Sequence, residues 1–104
     1  MNTYELDPIT PGEILFEEFL QPSNINQSTL ATKIGVPANR ISQIIHGKRE
    51  ISPDTALRLG KFFGIEPEFW LNLQMNYDLK LTKKQIYPQI LAIQAMSNDY
   101  RTNT

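Results

Sequence analysis

Five positions in one register constrain this chain more than any other feature: Gln27, Ala31 four residues later, Gly35 after another four, then Ile41 and Ile44. Ala31 is small enough to let two helices approach closely. Gly35 falls where the chain must turn sharply, and a left-handed backbone costs glycine least. Ile41 and Ile44 then pin a second helix onto the first. The flanking residues agree. Asn26 is placed to cap the first helix of the pair, with Leu30, Ala31 and Ile34 inward, and Pro37 opens the second, with Ile41, Ile44 and Ile45 inward and Gly47 as terminator.

The rest of the chain is punctuated in the same way. Thr10-Pro11-Gly12-Glu13 has the form of a capping box, followed by an apolar face of Ile14, Leu15, Phe16, Phe19 and Leu20 that Pro22 should end. Ser52-Pro53-Asp54 opens a fourth helix that buries Ala56, Leu59, Gly60 and Phe63 and closes at Gly64. Pro67 opens a fifth, running through Phe69, Trp70, Leu73 and Tyr77 to about Leu81. No stretch alternates cleanly enough to argue for a strand. Beyond Leu81, Lys83-Lys84-Gln85 reads as a linker, Pro88 opposes a continuous helix, and Ile90 to Met96 can form a short sixth helix before a polar end. The expectation is an all-α protein, with a five-helix domain over residues 8–81 and a short C-terminal tail over 82–104.

Several function classes are disfavoured. With 104 residues and 40% apolar content, the chain supports one compact core and no large enclosed active site. No run approaches the roughly 18 apolar residues that a membrane span needs, and the first residues lack a signal-peptide pattern, so no membrane partner is expected. The sequence has no cysteine, which excludes disulfides and thiolate metal sites and makes the cytoplasm the natural compartment. A single histidine gives little support to a His-based metal site or a nucleophile–His–acid triad. Glu17-Glu18 and the Glu66/Glu68 pair point in different directions on a helix. No glycine-rich phosphate loop is present. The expectation is therefore no enzyme, no catalytic residue, no cofactor and no metal.

The net charge of −1 conceals a segregation. Residues 1–26 carry five acids and no Lys or Arg; residues 27–61 carry six bases (Lys33, Arg40, Lys48, Arg49, Arg58, Lys61) against Glu50 and Asp54. A polyanion would meet one basic face on an otherwise acidic molecule. The paired helices have the spacing of a DNA-binding helix-turn-helix, whose second helix enters the major groove. At about 100° per residue, the arc opposite Ile41, Ile44 and Ile45 holds Asn39, Ser42, Gln43 and His46, flanked by Ala38 and Arg40. Asn and Gln can bond adenine through two groups, Arg can do so with guanine, and Ala can touch a thymine methyl. Ala38, Asn39, Arg40 and Gln43 are thus the expected base readers of double-stranded DNA. Gln27 and Ser28, in the first turn of the preceding helix, with Ser42, His46, Lys48, Arg49 and Ser52, are the expected phosphate contacts.

The fifth helix has more apolar surface than one core needs. Trp70, Leu73, Tyr77 and Leu81 share the side assigned to the core, while Leu71, Met75 and Leu79 fall nearly opposite. A helix apolar on two faces has two burial partners. The second face, with Ile90, Leu91 and Ile93, is the expected interface of a two-fold homodimer; the alternative is that the tail folds back over it within one chain.

Three stretches carry a resemblance. They are Pro11-Gly12-Glu13-Ile14-Leu15 with Glu17-Glu18-Phe19-Leu20; Gly35-Val36-Pro37-Ala38-Asn39-Arg40-Ile41-Ser42 through Ile44 and Gly47-Lys48-Arg49; and Asp54-Thr55-Ala56-Leu57-Arg58-Leu59 followed by Pro67-Glu68-Phe69-Trp70-Leu71-Asn72-Leu73-Gln74. Over about residues 8–80 the chain resembles the lambda repressor-like (XRE) helix-turn-helix family and, more narrowly, the HigA-type antitoxins, the group that includes virulence-associated protein I. The resemblance implies a dimer that binds an inverted repeat in its own operon promoter and represses it. It also implies tight binding to a HigB-type toxin, a small basic ribonuclease that cleaves mRNA at the ribosome. In the family the DNA helix corresponds to Pro37–His46 here. A basic ribonuclease would suit the acidic segment 1–26, so Glu13, Glu17 and Glu18 are the expected toxin-facing residues. Gly60 stands where relatives often carry alanine, which should loosen the fourth helix slightly, and the tail after Lys80 matches no family motif. Two other readings stay open: a stand-alone phage- or plasmid-type repressor, and a helical interaction module that has lost DNA binding. The second should show an acidic or apolar outward arc, and Asn39, Arg40 and Gln43 argue against it.

Overall fold

A computed structural model describes residues 8–96 of the chain. Within them the fold is all-helical, with five helices in succession. Helix α1 runs as one rod made of α-helical Pro11–Ile14, a π-helical stretch Leu15–Leu20 and a last turn Gln21–Ser23. Thr10 caps it, its Oγ1 accepting the Glu13 amide at 3.1 Å. Pro22 does not end the helix as its sequence position suggested. A proline ring collides with the carbonyl four residues back in a regular helix, and its nitrogen has no hydrogen to donate. The wider π turn ahead of it, where Gln21 N–H bonds to the Phe16 carbonyl, accommodates the ring. The chain then leaves the helix at Asn24, which takes the left-handed conformation.

Helix α2 (Gln27–Ile34) is capped by Asn26, whose Oδ1 accepts the Thr29 amide at 2.8 Å. Gly35 ends it with φ +74°, and the Val36 amide closes back onto the Ala31 carbonyl at 3.0 Å. Helix α3 (Ala38–Ile45) follows after Val36 and Pro37. Helix α4 (Pro53–Phe63) is capped by Ser52, whose Oγ accepts the Thr55 amide at 3.3 Å. Helix α5 (Pro67–Leu91) is the longest, at 25 residues.

One core joins all five helices: Leu15 and Leu20 from α1, Leu30, Ala31 and Ile34 from α2, Ile41 and Ile44 from α3, Ala56 and Leu59 from α4, and Trp70 from α5, with Ile51 from the α3–α4 loop. Burying each large aliphatic side chain contributes about 1.5–3 kcal/mol. An aromatic cluster closes one end, with Phe19 against Phe63 and Trp70 at centroid distances of 5.1 and 4.7 Å. Trp70 is fully buried and its Nε1 has no hydrogen-bond partner among the described residues. That orphaned donor costs about 1–3 kcal/mol, which the burial of so large a ring outweighs.

Two glycines are set by close approach. A methyl at Gly12 would overlap the carbonyl oxygen of Ile44 and lie 2.7 Å from Ile45 Cα, so the start of α1 rests directly on the backbone of α3. A methyl at Gly60 would lie 2.6 Å from the Ile65 carbonyl oxygen. Glycine at position 60 is therefore a packing requirement of the α4–α5 turn here, a reason for it that the sequence did not show.

The C-terminal expectation also changes. Helix α5 does not stop near Leu81, and Ile90 to Met96 do not form a separate sixth helix; the helical rod continues to Leu91 and the chain is irregular over 93–96. Pro88 marks a fault rather than an end: Ile86, two residues before it, leaves helical geometry (φ −123°, ψ 19°) and the helix kinks there. From Thr82 to Met96 every residue is exposed, so this part of the tail does not fold back over the body. Residues 97–104 of the expected tail lie outside the described residues.

Candidate nucleic-acid interface

Helix α3 is presented by three supports. Its inner side is sealed into the core through Ile41 and Ile44. Its last turn carries α1 at Gly12. Its start is tied to α4 by charge: Arg40 Nη1 donates to Asp54 Oδ1 at 2.8 Å, and Arg58 Nε donates to the same oxygen at 2.9 Å. Arg58 also donates through Nη1 to the carbonyls of Ile34 and Gly35, at 2.8 and 3.3 Å. The turn between the paired helices is thereby tied to α4, and α4 to α3. The two guanidiniums, Arg58 first and then Arg40, hold the Asp54 carboxyl below the usual carboxylate range.

The outward side carries the expected readers. Ala38 and Asn39 are exposed at the start of α3, and Arg40, Ser42 and Gln43 are half-buried along it. Two of them are engaged. Arg40 is held on Asp54, and the Gln43 Oε1 accepts from Arg49 Nε at 2.8 Å. His46, at the end of α3, turns its Nδ1 back to the Ser42 carbonyl at 2.7 Å. Since a carbonyl can only accept, Nδ1 carries the hydrogen and Nε2 is the nitrogen left to face outward.

The expected phosphate contacts surround this helix. Ser28 is exposed and Gln27 half-buried in the first turn of α2, where the amides have no helical partners. Lys48 and Arg49 are exposed in the loop after α3. The Ser52 hydroxyl is committed to the α4 cap, as acceptor from the Thr55 amide and as donor to Thr55 Oγ1 at 3.4 Å. No group of His, Asp and Glu suited to a metal ion occurs among the described residues. None of the described helices is long and apolar enough to cross a membrane.

The loop after α3 is fixed at both ends. The Lys48 amide bonds back to the Gln43 carbonyl at 2.8 Å, and the buried Ile51 donates its amide to Gln74 Oε1 of α5 at 2.9 Å. Gln74 also donates to Asp78 at 3.1 Å. Sequence reasoning missed three positioning residues here: Gly12, Asp54 and Gln74. A Gly inside a helical pattern signals close approach in general, but nothing in the sequence named the neighbour.

The second face of α5 is open at Met75 and Leu79 only, and Leu71, expected opposite the core, packs against it instead. Leu71 is half-buried against the core, and Met75 and Leu79 are 52% and 62% exposed. Together with Ile51, Gln74, Asp78 and Thr82 they line a groove of about 420 Å³. Glu13, Glu17 and Glu18 are all exposed on α1.

Comparison with known proteins bears directly on this geometry. A helix-turn-helix family model matches residues 16–70. Virulence-associated protein I of Dichelobacter nodosus is 44% identical over 80 residues, 77% of this chain and 74% of that protein. Antitoxin HigA-1 of Vibrio cholerae is 40% identical over 78 residues, 75% of this chain and 73% of its own length. The chain belongs to the HigA-type helix-turn-helix family. The structure of Pseudomonas aeruginosa antitoxin HigA with the higBA promoter superposes with a TM-score of 0.82 at 38% identity, covering 86% of this chain and 99% of that one. The five-helix architecture expected from the sequence is the one observed, and there is no strand among the described residues.

Proposed function

We propose that this chain is a DNA-binding antitoxin. As a two-fold homodimer it binds an inverted repeat in its own operon promoter and represses it, and it neutralises a HigB-type ribonuclease, acting in the cytoplasm without catalysis of its own. Ala38, Asn39, Arg40 and Gln43 read bases; Gln27, Ser28, Ser42, His46, Lys48 and Arg49 fix the register on phosphates, and Ser52, expected among them, is set aside because its hydroxyl is committed to the α4 cap. Residues 8–81 form the DNA-binding domain and 82–104 extend it toward the dimer partner. The observation that carries the DNA assignment is the polar outward face of α3, flanked by Lys48 and Arg49, on a helix held at its start, along its inner side and at its end.

Support for the dimer comes from the open apolar groove over Leu71, Met75 and Leu79 and from the exposed Ile90, Leu91 and Ile93. Exposed apolar side chains on this scale mark an interface. The toxin surface is assigned to Glu13, Glu17 and Glu18, whose charge complements a protein that grips RNA. Charge reversal at these three positions should abolish toxin capture, and unchanged capture would remove them from the assignment.

A shift assay on the native promoter tests the DNA reading. Asn39→Ala and Gln43→Ala should each weaken specific binding by about 1–3 kcal/mol, the worth of a lost base contact, with little change on random DNA. Parental affinity in both variants would refute the assignment of α3 as the reading helix.

A further inference from the structure

An unrestrained glutamine in a major groove reads adenine, accepting from N6 through its oxygen and donating to N7 through its nitrogen. Gln43 is not unrestrained. Its Oε1 accepts from Arg49 Nε at 2.8 Å. A guanidinium has five N–H donors and no acceptor, so the oxygen of this amide must be the atom facing Arg49, and Nε2 must face away. The partner is fixed in place as well. Arg49 sits between two backbone anchors, the Lys48 amide on the Gln43 carbonyl at 2.8 Å and the Ile51 amide on Gln74 Oε1 at 2.9 Å. Gly47 makes this return possible by adopting φ +73°.

The consequence is electrostatic. A base amino group approaching Gln43 Oε1 meets a full positive charge beside the acceptor it needs. Adenine N6 and cytosine N4 are therefore disfavoured. The groups left to face DNA, Gln43 Nε2 and the remaining guanidinium N–H groups of Arg49, are all donors. Guanine is the base whose major-groove edge offers two acceptors, O6 and N7; thymine offers one, O4. We propose that Gln43 and Arg49 act as one donor-only reading unit that selects guanine, and that Arg49 is a specificity-determining residue and not only a phosphate contact. This rests on Gln43 facing the groove, as proposed above.

Selection of binding sites from randomised duplexes separates the possibilities. The parent should show guanine at one half-site position, and Q43A should flatten the preference at that position alone. R49M should relax the same position toward adenine, lowering the guanine-to-adenine ratio about tenfold. R49K should relax it less than R49M while keeping the parental salt dependence, because a lysine retains the charge and a donor for the amide oxygen but not the planar Nε–H that fixes their geometry. Adenine at the Q43A-sensitive position in the parent would overturn the proposal. So would an R49M profile that is unchanged in base preference and uniformly weaker, the signature of a phosphate contact. If Q43A altered no position, Gln43 itself would fail as a base reader, and the pair with it.

Discussion

Arg40 Nη1 lies 2.8 Å from Asp54 Oδ1, which joins a residue of α3 to the first turn of α4. Arg58 shares that oxygen at 2.9 Å, so one carboxylate serves two guanidiniums. Their hydrogen bonds hold Asp54 below its ordinary pKa of 3.8. A carboxylate whose folded pKa is depressed adds stability above the unfolded value and loses it as pH falls through the folded one. The stability difference between the parent and D54N should therefore be constant near neutrality and shrink below pH 3.8. Because Asp54 is exposed, the difference should also shrink with added salt. Urea unfolding across a pH series at two ionic strengths measures both trends.

Gly12 should tolerate no side chain. G12A drives a methyl into the Ile44 carbonyl, a backbone atom that moves only if α1 or α3 moves. Overpacking of this kind costs about 1–3 kcal/mol. Since the displaced element is the proposed reading helix, operator affinity should fall by more than the loss of stability explains. Calorimetry and a shift assay on the same sample compare the two.

Gln74 should matter to DNA binding although it lies on α5. Q74A leaves the amide of buried Ile51 without its acceptor, at a cost of about 1–3 kcal/mol. It also releases one anchor of the loop that carries Lys48 and Arg49. Amide hydrogen exchange at Ile51 should accelerate, and operator affinity should drop with it.

Met75 and Leu79 should govern assembly. M75E with L79E places two carboxylates in the open groove and should leave the isolated fold close to parental stability, since both side chains are already more than half exposed. Light scattering should report a dimer for the parent and a monomer for the double variant. A parent that stays monomeric at tens of micromolar would refute the assigned interface.

Most local structure is legible in the sequence. Thr10, Asn26 and Ser52 stand at cap positions and do cap their helices, each accepting the amide three residues on. Gly35 turns the chain in the left-handed conformation its place in the register requires, and Ile41 and Ile44 face inward. The two prolines inside helical patterns act less drastically than their positions suggest. Pro22 and Pro88 should each end a helix, but the chain answers with a π turn before one and a kink before the other. A proline obliges a helix to deform, and whether the helix ends there depends on how the neighbouring turns absorb the ring.

The sequence by itself determined where helices begin and turn, which faces are apolar and which side of α3 is polar. Caps, glycines and 3.6-residue periodicity act within one or two turns, so neighbours in the chain suffice to specify them. The tertiary structure decided the rest: Gly12 beneath Ile44, Arg40 on Asp54 across 14 residues, Arg58 on Ile34 across 24, and Ile51 on Gln74 across 23. These contacts depend on how whole helices cross, a property set by the packing of the shared core and absent from any local pattern. They fix how α3 is presented and hold Arg40 on Asp54, while Gln43 is held locally by Arg49 six residues on.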